Sequence, residues 1–237
     1  MLIKAALNGG RSRSENPAIP VTPQELAASA KESVAAGAGA IHFHVRGPGE
    51  RESLDAIDVA AAVKAVQSAV PGTPVGVSTG TWILQNTKLR HEKISAWKIF
   101  PDFASVNFKE DGAIPLAELL LSCNVPIEGG VADVEGTKIF IASGFAHKCI
   151  RLLIEPLEQT LEAAIKTLGS IENLLDEAKI PRVLHGLNDL AWPLIDEAAR
   201  RGCDTRVGFE DILTLPDGAP APSNNALVAE AVRRMNS

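Results

Sequence analysis

The stretch from Ala40 to Ser78 reads AIHFHVRGPGERESLDAIDVAAAVKAVQSAVPGTPVGVS. Its opening run, Ala40-Ile41-His42-Phe43-His44-Val45, alternates side chains as a β-strand does. Asp55 to Val70 then carries alanine and valine at helical spacing and stops at Pro71-Gly72. Val75-Gly76-Val77-Ser78 is a second short strand run. A strand, a helix and a strand in so short a span predict a βαβ unit with parallel strands.

The same rhythm extends in both directions. Upstream, Ile3 to Leu7 is a strand run, Thr22-Pro23 is an N-cap followed by proline, and Gln24 to Ala36 is a helix closed by Gly37-Ala38-Gly39. Downstream, strands are expected at Phe103–Phe108, Val125–Glu128, Cys149–Ile154, Arg182–His185 and Asp204–Phe209. Helices are expected at Lys88–Trp97, Pro115–Ser122, Asp133–Ala142, Pro156–Ala178 (with a break near Gly169), Asp189–Arg201 and Asn224–Met235. Eight β runs, each followed by a helical run, fit an α/β chain folded as a (β/α)8 TIM barrel, with residues 1–237 as one domain. An open dinucleotide-binding sheet would need a GxGxxG turn after the first strand; Asn8-Gly9-Gly10-Arg11-Ser12-Arg13 does not supply it.

Bulk properties exclude several functions. The chain has 237 residues, 46% hydrophobic and 22% charged, enough to bury a large core. A net charge of −6 argues against a general nucleic-acid binder. No apolar run is long enough to span a membrane, and the start MLIKAALNGGRS is too short in apolar residues for a signal peptide. Cys123, Cys149 and Cys203 are odd in number and far apart, which suits a reducing compartment, and a cytoplasmic location is expected.

In such a barrel the chemistry sits at the C-terminal ends of the strands. Reading those ends gives Asn8, His42 and His44, Ser78 and Thr79, Asn107 and Lys109, Glu128, Glu155, His185, and Glu210-Asp211. His42 and His44 are two residues apart on a strand, so both imidazoles share one face, about 7 Å apart along the backbone. They suit a divalent metal, or else a polar, hydrogen-bonded barrel interior. A third ligand must come from elsewhere, and either Glu210 or Asp211 is placed to supply it. Arg206, four residues before Glu210, shares its facing and either pairs with a carboxylate, binds an anion or faces solvent. Ser78 and Thr79 are hydrogen-bond donors for a substrate oxygen or ordinary loop residues. Lys109 is a Schiff-base candidate, but Glu110-Asp111 beside it favour a solvated lysine.

Five segments occur in order: Leu7-Asn8-Gly9-Gly10, Pro20-Val21-Thr22-Pro23-Gln24-Glu25, Ala40-Ile41-His42-Phe43-His44-Val45-Arg46, Val77-Ser78-Thr79-Gly80 and Arg206-Val207-Gly208-Phe209-Glu210-Asp211. Together they resemble the β-keto acid cleavage enzyme family, from the first strand to the helix at Asn224-Asn225-Ala226-Leu227-Val228. The resemblance implies a zinc-bearing barrel that condenses a β-keto acid with acetyl-CoA, releasing acetoacetate and a new acyl-CoA. His42, His44 and Glu210 would ligate zinc, and Asp211 would be the base, oriented by Arg206 and Ser78. Glu128 would be a further pocket acid, with Ser105 and Asn107 as pocket residues of the fourth strand. Asn8, Arg11 and Thr79 complete the expected substrate contacts. The resemblance also implies a homo-oligomer, with a tetramer among the forms expected.

The chain departs from the family where an acidic residue would meet an amino-bearing substrate, since Gly10 or Arg11 stands there. An arginine repels an ammonium group, so a neutral or acidic β-keto acid is expected. Ile212 also replaces a usual asparagine. Two other functions compete: a metal-dependent hydrolase of the amidohydrolase type, with His185 as an extra ligand, and a barrel that binds a metabolite without turnover.

Overall fold

The computed structural model describes residues 1–175 and 178–236. Within them, eight parallel strands close into a barrel in the order β1 to β8. The strands are β1 (Ile3–Ala6), β2 (Ala40–Phe43), β3 (Val75–Ser78), β4 (Phe103–Asn107), β5 (Ile127–Val131), β6 (Cys149–Ile154), β7 (Arg182–Leu184) and β8 (Asp204–Val207). Helices follow each strand in turn: α1 (Pro23–Ala35), α2 (Ala56–Ala69), α3 (Thr87–Ser95), α4 (Ala113–Ser122), α5 (Val134–Ala142), α6 (Leu161–Leu174), α7 (Ala191–Arg201) and α8 (Asn224–Met235). The (β/α)8 TIM barrel is therefore the fold of this chain.

Local chemistry explains most boundaries. Thr22 caps α1 by accepting from Glu25 N, and the Glu25 side chain answers at the Thr22 N–H. Asp133 caps α5 by accepting from Gly136 N at 2.7 Å, so that short β-branched segment is helical as expected. The expected helix from Pro156 begins only at Leu161, because Thr160 takes the cap by accepting from Ala163 N. It runs through Gly169 without a break, and positions 176–177 of the expected span lie outside the described residues.

The fifth strand runs Ile127–Val131, later than the Val125–Glu128 expected. Gly129 and Gly130 both lie inside it. A Cβ at Gly130 would sit 2.3 Å from Asn107 Oδ1 on β4, so the pair marks a close approach between strands. The shift moves Glu128 from the strand's end to its second residue.

Alternation divides the strands cleanly. Ile3, Ile41, Phe43, Val75, Val77, Ala104, Val106, Leu152, Ile154 and Val207 pack outward into the core beneath the helices. The inward face is charged. Lys4 on β1 bonds Glu128 on β5, strands that are not neighbours, so the contact crosses the barrel interior. Arg151 on β6 adds a second cation, its Nε 3.0 Å from Glu128. All three are buried. Burial, against the pull of Glu128, brings the Lys4 ammonium down to a pKa of about 8. A charged plug thus fills the space where aliphatic layers usually sit.

The barrel closes where β8 meets β1. A Cβ at Gly208 would lie 1.9 Å from the Ala6 carbonyl oxygen, so only glycine lets the chain leave β8 there. That exit carries Glu210 and Asp211 to the mouth.

Candidate active site

Three side chains from the two strands flanking β1 meet at the mouth. His42 Nε2 lies 3.7 Å from Glu210 Oε2, and His44 Nε2 lies 3.3 Å from Glu210 Oε1. The rings of His42 and His44 stand edge to face, 5.5 Å between centroids. One ligand atom from each residue falls within 4.8 Å of the other two. Zinc bonds of about 2.1 Å at tetrahedral angles would set ligand atoms about 3.4 Å apart, so this set fits such an ion. Glu210 Oε2 is buried without a hydrogen-bond partner, which leaves a donor oxygen free for a cation.

The electrostatics are divided. Burial and the neighbouring cations hold His42 well below its usual pKa, so it is neutral and ready to ligate. Burial also opposes charge on His44, but Glu210 and Glu52 outweigh it and raise that pKa to about 9. Burial would raise the Glu210 carboxyl, yet Arg206, His44 and His42 hold it well below the carboxylate range. The Asp211 carboxyl is likewise lowered, burial being overcome by Arg206 and His185.

Arg206 organises both acids. Its Nη2 lies 2.7 Å from Glu210 Oε1 and 2.5 Å from Asp211 Oδ1, with Nε adding 3.1 Å to Asp211. Asp211 is wholly buried behind it, with His185 Nδ1 at 3.5 Å. His185 Nε2 lies 2.9 Å from Glu155. His185 is therefore engaged away from the metal cluster and is not the extra ligand that a hydrolase site would require.

A cavity of about 580 Å³ opens onto this cluster. His42, His44, Ser78, Ser105, Asn107, Arg206 and Glu210 line it, as the sequence suggested. Other expected contacts lie elsewhere. Asn8 is buried, accepts from His44 N at 2.8 Å and donates to His44 O at 2.9 Å; it fixes the backbone of His44 and is not among the residues that line the cavity. Thr79 is tied to Ser105 O at 2.6 Å. Glu128 lies in the plug below the mouth. Gly10 faces the cavity, whereas Arg11 turns into the adjoining groove toward Glu15 and Asn188. Lys109 pairs with Asp133 at 2.6 Å, and the hydrogen bonds it donates to Asp133 and Glu135 raise its pKa, the reverse of what a Schiff-base lysine needs.

The sequence reading missed two residues. Glu52 Oε1 lies 2.5 Å from His44 Nδ1 and accepts from Trp82 Nε1 at 3.1 Å. The Trp82 ring stacks on His44, 5.9 Å between centroids. Both lie on loops, and only the Arg46–Glu52 bridge, invisible in the sequence, folds Glu52 back over His44.

The family model for β-keto acid cleavage enzymes matches residues 1–124 and 131–237. The chain belongs to the β-keto acid cleavage enzyme family. The matched segments contain His42, His44 and Glu210, while Glu128 falls in the interval left out. Among characterised members, the 3-keto-5-aminohexanoate cleavage enzyme of Fusobacterium nucleatum is 26% identical over 98% of this chain and 90% of its own length. The 3-oxoadipate:acetyl-CoA acetyltransferase of Cupriavidus necator is 34% identical over a shorter stretch, 33% of this chain and 28% of that protein. The thiamine phosphate pyrophosphorylase structure from Pyrococcus furiosus is 13% identical, covers 99% of this chain and 95% of its own, and has a TM-score of 0.60, a likeness of fold alone. Like the rest of its family, this chain is a carbon–carbon bond-cleaving enzyme of β-keto acids. Among the described residues no helix is long and apolar enough to cross a membrane.

Proposed function

We propose that this family member is a zinc-dependent β-keto acid:acetyl-CoA acyltransferase, yielding acetoacetate and a new acyl-CoA. The convergence of His42, His44 and Glu210 beside Arg206 at the cavity is the observation that carries it. Neutral imidazole and carboxylate donors with an open side suit a catalytic zinc. When bound, the ion supplies a Lewis acid for the charge that develops on the keto oxygen.

The chain's own residues do the rest. Arg206 faces the cavity and receives the substrate's anionic end. Asp211 takes the α-proton; its burial behind Arg206 means that it does so as the substrate draws the guanidinium away. Ser78, Ser105 and Asn107 on the cavity wall orient the keto acid by hydrogen bonds. The α-carbon then joins the acetyl carbon of acetyl-CoA and the CoA thiolate leaves it. That thiolate adds to the original keto carbon, the bond from that carbon to the α-carbon breaks to give the new acyl-CoA, and Asp211 returns its proton to the α-carbon of acetoacetate. Acetyl-CoA as co-substrate is supported by the acetyl-CoA acetyltransferase activity of the Cupriavidus necator relative. Three unpaired, scattered cysteines support a reducing, cytoplasmic setting. A homo-oligomeric assembly belongs to the same reading.

Incubating the zinc-loaded enzyme with β-keto acids and acetyl-CoA, and measuring acetoacetate, tests the proposal. Release that depends on both substrates and disappears on chelation is the expected result. Zinc-loaded protein that forms no acetoacetate from any β-keto acid would sink it.

A further inference from the structure

The charged side chains on the cavity wall already have partners. Lys109 Nζ lies 2.6 Å from Asp133 and 3.3 Å from Glu135. Arg206 is shared between Asp211 and Glu210. Glu110 accepts from Arg90 at 3.1 Å and from Asn107 at 2.9 Å, and Glu155 lies against His185. Arg11, the cation expected to choose the substrate, is spent on Glu15, Asn188 and the Glu210 carbonyl oxygen in the next groove. Apart from the uncharged polar residues Ser78, Ser105 and Asn107, the wall carries an apolar stretch: Val131, Ala132, Leu153, Leu157 and Leu187.

We infer that this apolar wall holds the acyl side chain of the β-keto acid and that this side chain is uncharged. The inference rests on the β-keto acid reading above. A carboxylate at the far end of the substrate would leave water for leucine side chains. Lys109, a cation on the same cavity wall, already faces two carboxylates, so that cluster carries net negative charge and repels an anion. An ammonium fares no better, because the half-buried acids of the cavity, Glu110, Glu210 and Glu155, are held by Arg90, Arg206 and His185, and Asp133 is taken by Lys109 and the α5 cap. An alkyl chain loses no hydration of charge and gains by burial, on the order of tenfold per methylene in a fitted pocket.

Zinc-loaded enzyme is assayed with acetyl-CoA and three keto acids: 3-oxohexanoate, 3-oxoadipate and 3-keto-5-aminohexanoate. We expect kcat/KM for 3-oxohexanoate to exceed both others by about 100-fold, the scale of burying a charge without a partner. Leu157→Arg, on an exposed loop position that tolerates substitution, and Leu187→Arg should each narrow the gap to 3-oxoadipate by about tenfold, with KM for acetyl-CoA unchanged. Equal or better use of either charged keto acid overturns the inference. So does a change in KM for acetyl-CoA alone, which would give the wall to the thioester chain. If all three acids fail together, the β-keto acid reading itself falls and takes the inference with it; failure of the inference alone leaves turnover intact with the order reversed.

Discussion

Glu52 Oε1 lies 2.5 Å from His44 Nδ1, which turns the opposite nitrogen, Nε2, toward Glu210. A carboxylate in that position fixes the tautomer of a ligating imidazole and makes it a better donor. Glu52→Gln keeps the shape and loses the charge. Zinc affinity should fall by about 10- to 100-fold, read by competition with a chromophoric chelator. An unchanged affinity would reduce Glu52 to a surface partner of Trp82.

Metal binding should depend steeply on pH. The carboxylates around His44 raise its pKa to about 9, overcoming burial, so the metal-free site holds a proton there at neutral pH. A cation must displace that proton. Apparent affinity should therefore rise about tenfold per pH unit below pH 9 and level off above it. In the metal-free protein the sign for stability is opposite. The raised pKa contributes stability that is complete below about 6.5 and is lost as pH climbs through 9. Calorimetric proton release on zinc addition at pH 7 and pH 9.5 checks the first point.

Asp211→Asn separates catalysis from binding. The amide keeps the volume beside Arg206 but cannot take a proton. We expect kcat to drop by about 10²- to 10⁴-fold with zinc content unchanged. A barrel that only bound a metabolite would show little change in either measurement.

The charged plug makes the barrel sensitive at a distance from the mouth. Glu128→Gln leaves Lys4 and Arg151 buried without their counter-ion. Loss of about 3–5 kcal/mol follows, and a melting temperature lower by roughly 6–20 °C for a chain of this size. Lys4 also sets a pH slope. Its folded pKa is lowered to about 8, so between pH 8 and the unfolded value the unfolded chain binds more protons and this term adds stability as pH rises. Lys4→Met should remove that alkaline slope in urea titrations.

What could be read in the sequence follows from how local each signal is. Strand alternation at Ala40–Val45 and the capped helix at Thr22 depend on neighbours in the chain, and the structure keeps both. His42 and His44 were legible because a two-residue period alone puts them on one face. The fifth strand runs past the expected Val125–Glu128 through Gly129-Gly130, where Asn107 of the adjacent strand fills the space beside Gly130, a contact that no local pattern reports. Asn8 and Thr79 are polar residues at strand ends, yet both spend their polar atoms on backbone groups elsewhere in the chain, at Pro20, His44 and Ser105. Glu52 was invisible because its partner is fixed by a loop that doubles back, which no periodicity reports.

The ring is joined at β1, with His42 and His44 on one side of that strand and Glu210 on the other. A cation gripped by all three would act as a clasp over the junction between the first and last strands of the barrel. Stripping it should loosen that junction first, so amide hydrogens of Ile3–Ala6 would exchange sooner while those of β4 and β5, on the far side, keep their protection.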